Sequence, residues 1–538
     1  MKSVMVHNFA QAPHASIPRS SFNRSHGWKG TFNAGELIPI FVDEILPGDT
    51  FRLRTSAFGR MATPIFPIMD NLYLDTHYFF VPTRLLWDNF QKFMGEQENP
   101  GDSTDFLVPQ ATPPEGFSFE EGSLADYMGI PTNVLGLSVN ALPFRAYYRI
   151  WNEWFRDENL QNSSDVGNSK EDATLAYQPQ LLKRGKRHDY FTSCLPWPQK
   201  GPSIDLPLGG TAPVNGIGAP TFQDSALGGV ENRNLMGDFF PDPTTDNAFF
   251  SSDATDPTAQ LTMAWDDPQL VADLGNATAA TINQLRQAFT LQQYFERDAR
   301  GGTRYTEKIR SHFGVTSPDQ RLQRPEFLGG GTTHINVTPI ANTADIASVG
   351  GNGTVGELGA MGTVSLKNHG FTKSFVEHGY VIGVASVRAD LTYQKGLERM
   401  WSREDELEFY WPTFAKIGEQ AVLNKEIYAQ GPTVTNPEGN IVDDDVFGYQ
   451  ERYGEYRYKP SVITGQFRSN SATPLDQWHL SQDFASLPVL GDAFIQEDPP
   501  IDRVVAIPSE PDFIMDVYHN LQCARPMPLF GIPGLTRM

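Results

Sequence analysis

From Gly35 to Phe58, GELIPIFVDEILPGDTFRLRTSAF, apolar and polar residues alternate on either side of Pro47-Gly48-Asp49, which predicts two strands joined by a tight turn. Asn71 to Val81, NLYLDTHYFFV, predicts a further strand with Leu72, Leu74, Thr76, Tyr78 and Phe80 on one face, ended by Pro82. Strand patterning returns over Ser374 to Tyr393, Val462 to Phe467 and Val504 to Ile507. Two stretches follow the helical period instead. In Pro143 to Asn159, Phe144, Tyr147, Tyr148, Trp151, Trp154 and Phe155 share one third of a helical wheel, while Arg145, Arg149, Glu153 and Asp157 lie elsewhere. That stripe is read as burial against a sheet rather than as a ligand box. Ile282 to Asp298 is the second, with Leu285, Ala288, Phe289, Leu291 and Phe295 on a broad face.

The 40 prolines and 47 glycines are spread along all 538 residues and cut the chain into short runs, so the fold class is mainly β with elaborate connections. Charged residues are 20%, below the roughly 25% usual in soluble domains, while 36 Phe, 18 Tyr and 9 Trp are far too many for a disordered chain. No apolar run reaches the length of a membrane helix; the best, Tyr380 to Val387, is interrupted by Gly383, so no membrane insertion is expected. The first residues carry no apolar core of a signal peptide, which predicts a soluble protein made in the cytoplasm. Cys194 and Cys523 are too few for a disulfide framework and lack metal-ligand spacing, and buried thiols are expected.

Charge is distributed unevenly. The net charge is −22, yet residues 1–35 hold Lys2, Arg19, Arg24 and Lys29 with no acidic residue, whereas 205–280 holds eleven Asp or Glu against Arg233 alone. The divisions predicted are a basic arm (1–35), a first framework part with a helical insertion (36–204), a variable acidic insertion (205–280) and the remaining strands with their loops (281–538). Within the insertion, Asp238, Asp242, Asp246, Asp253, Asp256, Asp266 and Asp267 are candidates for a solvent-facing protrusion. The arm cations, together with Lys183, Arg184, Lys186 and Arg187 just before Tyr190, Phe191 and Trp197, are candidates for contact with nucleic acid, because cations interleaved with rings suit single strands.

Catalytic signatures are missing. There is no phosphate loop ending in GK[ST], no HExxH, no CxxC and no GxSxG. The GxGxxG at Gly351 to Gly356 is not followed by a helical pattern that could receive a phosphate, and it is read as a glycine loop. Asp443, Asp444 and Asp445 are consecutive and poorly placed to converge on one ion. No enzyme, cofactor or metal site is predicted.

Long blocks of the chain resemble the major capsid proteins of gokushoviruses, tailless single-stranded-DNA phages of the microvirus group. They are FNAGELIPIFVDEILPGDTF from Phe32, MDNLYLDTHYFFVPTRLLWDNF from Met69, LPFRAYYRIWNEWFRDENLQ from Leu142, DYFTSCLPWPQKGP from Asp189, YTEKIRSHFGVTSPDQRLQRPEFLGG from Tyr305 and VFGYQERYGEYRYKPSVITGQFRS from Val446. The resemblance implies a viral jelly roll, an eight-stranded antiparallel β-sandwich with long inter-strand insertions containing a few helices. It implies sixty copies assembled through pentamers into a T=1 icosahedral shell around a circular single-stranded DNA genome. Also implied are an internal scaffolding protein, a DNA pilot protein and a small basic DNA-binding protein as partners, assembly in the bacterial host cytoplasm, and a surface insertion meeting a host receptor. Residues 205–280 depart from the shared pattern. Two rivals remain at this point: a receptor-binding appendage of a larger virus, and a carbohydrate-active β-sandwich enzyme, which needs a facing pair of carboxylates.

Overall fold

The computed structural model describes residues 18–530 except 173–174, 177, 203, 205–213, 217–220, 225–238, 242–247, 251–262, 267–269, 273–281, 303, 317, 320–322, 344–355 and 357. Nine strands form the framework: β1 (Ser20–Asn23), β2 (His26–Phe32), β3 (Ile38–Ile45), β4 (Thr50–Met61), β5 (Leu72–Pro82), β6 (Glu326–Ala341), β7 (Leu358–Ser374), β8 (Gly379–Ala389) and β9 (Phe513–Arg525). Their hydrogen-bonded order is β1-β9-β4-β7-β6-β5-β8-β3, with β2 also on β9, and all these pairs are antiparallel.

The sheet doubles over at β6. Its first part, Glu326 to Ile335, pairs with β5, and its second, Asn336 to Ala341, pairs with β7. This crossover divides the framework into a first sheet, β2-β9-β4-β7, and a second sheet, β3-β8-β5-β6. Two such four-stranded sheets in this chain order are a jelly roll. Long excursions leave it between β5 and β6 (83–325) and between β8 and β9 (390–512).

The predicted hairpin is β3 and β4. Gly48, at φ +92°, makes the turn without a Cβ penalty, and Asp49 closes it by accepting from the Leu46 N–H at 3.0 Å. On β4 alternation is strict, with Phe51, Leu53, Thr55, Ala57, Gly59 and Met61 facing inward. Between the sheets lie two apolar clusters, one around Leu72, Leu74, Val364, Leu366 and Val517, the other around Phe41, Phe51, Tyr78, Phe80 and Leu521. Each buried Leu or Phe contributes about 1.5–3 kcal/mol.

β5 departs from the one-faced pattern expected of it. Phe79 and Val81 point the other way and are buried as well, because the first part of the excursion, residues 86–182, covers the outer face of the second sheet. The helix that does so, α1 (Leu142–Ile150), ends in a wider π-helical turn at Trp151–Phe155. Its rings pack on Phe79, Val81 and Ile382, as the stripe predicts. Their polar tips find backbone acceptors: Tyr147 donates to Leu37 O at 2.8 Å and Trp151 Nε1 to Lys183 O at 2.9 Å. Arg145 is also fully buried, donating to Leu86 O and Glu171 O.

The second predicted helix is α2 (Ile282–Gly301). Val462 to Phe467 and Val504 to Ile507 are not strands. The former ends in a 3-10 turn at Gly465–Phe467; in the latter, Val504 follows the 3-10 turn Ile501–Arg503 and Val505 makes one bridge to Pro64. The chain divides into two compact units, Met1–Lys200 with Glu296–Met538, and Gly201–Phe295. In the smaller unit three short antiparallel ladders nest one inside the next: Val214 lies opposite Ala272, Thr221 opposite Asp266, and Phe239 opposite Phe250.

Candidate functional site

While the second sheet is covered by the chain's own excursion, the outer face of the first sheet is open. Strand parity puts Arg52, Arg54, Ser56, Phe58 and Arg60 of β4 on it. Register then builds the rows across the sheet. Arg60 stands between Ile514 and Thr363, Phe58 between Asp516 and Ser365, Arg54 between Asn520 and Gly370, and Arg52 between Gln522 and Thr372. Lys29 of β2 lies opposite Asp516, at 3.9 Å, and Tyr518 opposite Gly27. A bulge in β7 exposes Lys367 beside these rows.

The two sheets differ in charge. Strands of the first carry Lys29, Arg52, Arg54, Arg60, Lys367, Lys373 and Arg525 against Asp516. Those of the second carry Asp43, Glu44, Asp75 and Glu326 against Arg388. Arg52, Arg54, Arg60 and Lys367 form no ion pair with any described residue. Arg60 lies 5.7 Å from the ring of Phe58, which is 47% exposed, and Tyr518 is 54% exposed. A polar, cationic sheet face with protruding rings can neutralise phosphates and stack bases.

The residues singled out in the sequence are placed differently. Lys2 lies outside the described residues. Arg19 donates to Gly48 O at 2.6 Å and to Thr50 Oγ1 at 3.1 Å, and Arg24 is held by Asp43 at 2.5 and 3.0 Å. Among the described residues, Lys29 is the one arm cation on the open face. In the second cluster, Lys183 pairs with Asp498 at 2.9 Å, and Arg184 donates to Asp75 Oδ2 and Ser386 Oγ, both at 2.8 Å. Lys186 is buried, bonded to Gln482 and 4.6 Å from the Phe494 ring; burial pushes its pKa down to about 8. Arg187 sits 5.9 Å over Tyr73. Tyr190 and Phe191 are themselves buried and so offer no stacking surface, whereas Arg187 is exposed.

Of the acidic candidates, Asp266 ends a described strand opposite Thr221; Asp238, Asp242, Asp246, Asp253, Asp256 and Asp267 lie outside the described residues, as does the glycine loop apart from Gly356. Asp443 accepts from the Gln430 and Gly431 N–H groups, and Asp444 pairs with Lys425, so these carboxylates diverge. Among the described residues no three His, Cys, Asp or Glu side chains are grouped to hold a metal, and no helix is long and apolar enough to cross a membrane. Cys194 and Cys523 are free and buried.

A second surface was not anticipated. In the 390–512 excursion Trp401, Leu407, Phe409, Tyr410, Trp411 and Ile417 are all exposed, Trp401 by 71%. Short 3-10 turns carry Trp401 and Leu407, the others lie on the loops beside such turns, and Arg403, paired with Glu455 at 3.0 Å, lies over the Phe409 and Tyr456 rings. Exposed apolar area of this kind marks protein contact.

The signal for the open face was present in FRLRTSAFGR, where Arg52, Arg54 and Phe58 share one parity of the predicted strand and Arg60 follows at the same parity just beyond its predicted end.

A family model described as "Capsid protein (F protein)" matches residues 10–535. Capsid protein VP1 of Bdellovibrio phage phiMH2K is 48% identical over 98% of this chain and 97% of its own length. Capsid protein VP1 of Chlamydia phage 1 is 44% identical over 100% and 99%, and that of Spiroplasma virus 4 is 37% identical over 99% and 98%. The resemblance to gokushovirus coat proteins thus holds over the full length, and the chain belongs to the phage capsid protein (F protein) family.

Proposed function

We propose that this virion structural protein assembles through pentamers into a sixty-copy, T=1 icosahedral shell enclosing a circular single-stranded DNA genome. The observation that carries this is the asymmetry of the jelly roll, one sheet sealed by the chain's own insertion and the other left open and cationic. A shell subunit needs such a division, since one surface meets a polyanion and another does not. The aromatic surface around Trp401 supplies contacts between copies.

Residues 205–280 turn outward in this reading. Their acidity keeps particles apart in solution and leaves them able to meet a host receptor. Support comes from their charge and from their location in a compact unit of their own. An internal scaffolding protein, a DNA pilot protein and a small basic DNA-binding protein complete the assembly, which takes place in the host cytoplasm.

Particle mass tests the proposal. Sixty copies of a 59.9 kDa chain give about 3.6 MDa of protein. Purified particles of that mass support it; an appendage-like trimer or a monomer at every concentration overturns it.

A further inference from the structure

We propose that the outer face of the β2-β9-β4-β7 sheet is a single-strand polynucleotide site, in which Arg52, Arg54, Arg60 and Lys367 neutralise phosphates while Phe58 and Tyr518 stack on bases. This deepens, and rests on, the reading that the chain encloses a single-stranded genome.

Charge complementarity selects a polyanion. Asp516 is the one acidic residue on these four strands, and the four cations form no ion pair with any described residue that would have to be broken on binding. On β4, Arg52 and Arg54 are one strand repeat apart, and Arg52 to Arg60 spans about 27 Å at the usual rise per residue, room for several nucleotides.

Charge alone also fits an acidic protein segment, and the rings decide between the two. Phe58 and Tyr518 protrude from the middle of the face on adjacent strands, one row apart, with cations on both sides. An acidic peptide gains little from them, whereas every base has a face to stack. A duplex hides its base faces and needs an element that enters a groove, which a sheet face carrying short rows does not provide. Asn520 and Gln522, in the rows of Arg54 and Arg52, add neutral hydrogen-bonding groups without a pattern that selects one base.

The test is binding of a fluorescent twenty-nucleotide oligothymidylate to the full-length chain across a salt series, beside a duplex of equal length and a polyglutamate competitor. Four phosphate contacts give a log–log salt slope of about −3 for a single strand. We expect that slope in the unaltered chain, a slope shallower than −1 in R52Q/R54Q/R60Q, and recovery in R52K/R54K/R60K. The F58A/Y518A chain should lose roughly tenfold or more in affinity while keeping its slope. All these side chains point outward, and matching thermal melts establish that the variants fold. Equal binding by the glutamine variant, or preference for duplex, overturns the proposal. So does displacement by polyglutamate that is indifferent to the two rings, which assigns the face to an acidic protein. Failure of the unaltered chain to form particles, with oligothymidylate binding as described, overturns the shell reading and leaves this site standing.

Discussion

Thr55 Oγ1 and the Tyr78 hydroxyl lie 2.5 Å apart in the centre of the sandwich, joining β4 of the first sheet to β5 of the second. The bond belongs to a chain. Thr55 also bonds His519 Nδ1 at 2.9 Å, and His519 Nε2 bonds Ile40 O at 2.8 Å. All three side chains are fully buried, so these polar groups have only one another and the backbone. Removing one hydroxyl leaves its partner short of a bond where water cannot reach. Tyr78→Phe should therefore lower stability by about 1–2 kcal/mol in urea unfolding; an unchanged midpoint would show that the bond is not formed.

The same chain makes stability depend on pH. With Nε2–H donating to Ile40 O and Nδ1 accepting from Thr55, His519 is satisfied as the neutral ring, and burial pulls its pKa down to about 4. In the unfolded chain the ring titrates near 6.5. The unfolded state therefore binds the proton first. The contribution is complete above pH 6.5, falls as pH drops towards 4, and changes little below. His77, half-buried, is lowered to about 4 by desolvation and by the nearby Arg184 and Arg388 charges, and acts with the same sign. Between pH 7 and 4.5 the parent should lose roughly 2–3 kcal/mol more than His519→Gln; parallel pH profiles for the two would contradict this account.

Gly370 on β7 faces the backbone of β4. A Cβ there would come within 2.1 Å of Leu53 O, whereas one at Gly359 on the same strand meets nothing nearer than Ile340 O at 3.8 Å. Gly370→Ala forces the strands apart and should cost about 3 kcal/mol or more, or yield insoluble chain. Gly359→Ala should melt within a degree or two of the parent. Equal melting of both variants would refute the close approach.

Contacts between copies are separable from folding. Trp401→Ser and Ile417→Ser remove exposed apolar groups, so monomer melting should stay within about 0.5 kcal/mol of the parent. Sedimentation should show assembly reduced tenfold or more. Normal particles from the double variant would place the contacts elsewhere.

The acidic insertion should be dispensable for folding. The outermost of its three nested ladders sets Val214 opposite Ala272, so these two points of the chain lie side by side. Replacing 214–272 with a four-residue Gly/Ser link should leave the melting temperature within a few degrees while abolishing attachment to the host, measured by cell binding of particles. Undiminished attachment would contradict the outward, receptor-meeting role.

Much of the framework was legible because it is encoded locally. The Pro47-Gly48-Asp49 turn, the alternation in β4 and the ring stripe of α1 each follow from neighbours in sequence. What misled was tertiary. Val462 to Phe467 has strand-like composition but no partner strand, and Val462 stays 65% exposed. Lys183, Arg184 and Lys186 look like a nucleic-acid motif until their partners are known, and Asp75, Asp498 and Gln482 lie more than a hundred residues away in sequence. The open face was half visible: parity puts Arg52, Arg54 and Arg60 together, but only register with β9 adds Tyr518 and shows how little acid surrounds them.

A reconstruction of assembled particles, resolved well enough to trace β4 and β9, decides which sheet faces the genome. The first sheet should line the inner surface, with Arg52, Arg54 and Arg60 beside genome density and Trp401 between subunits. That sheet on the outer surface, or buried between protein subunits away from any nucleic acid, would contradict this placement.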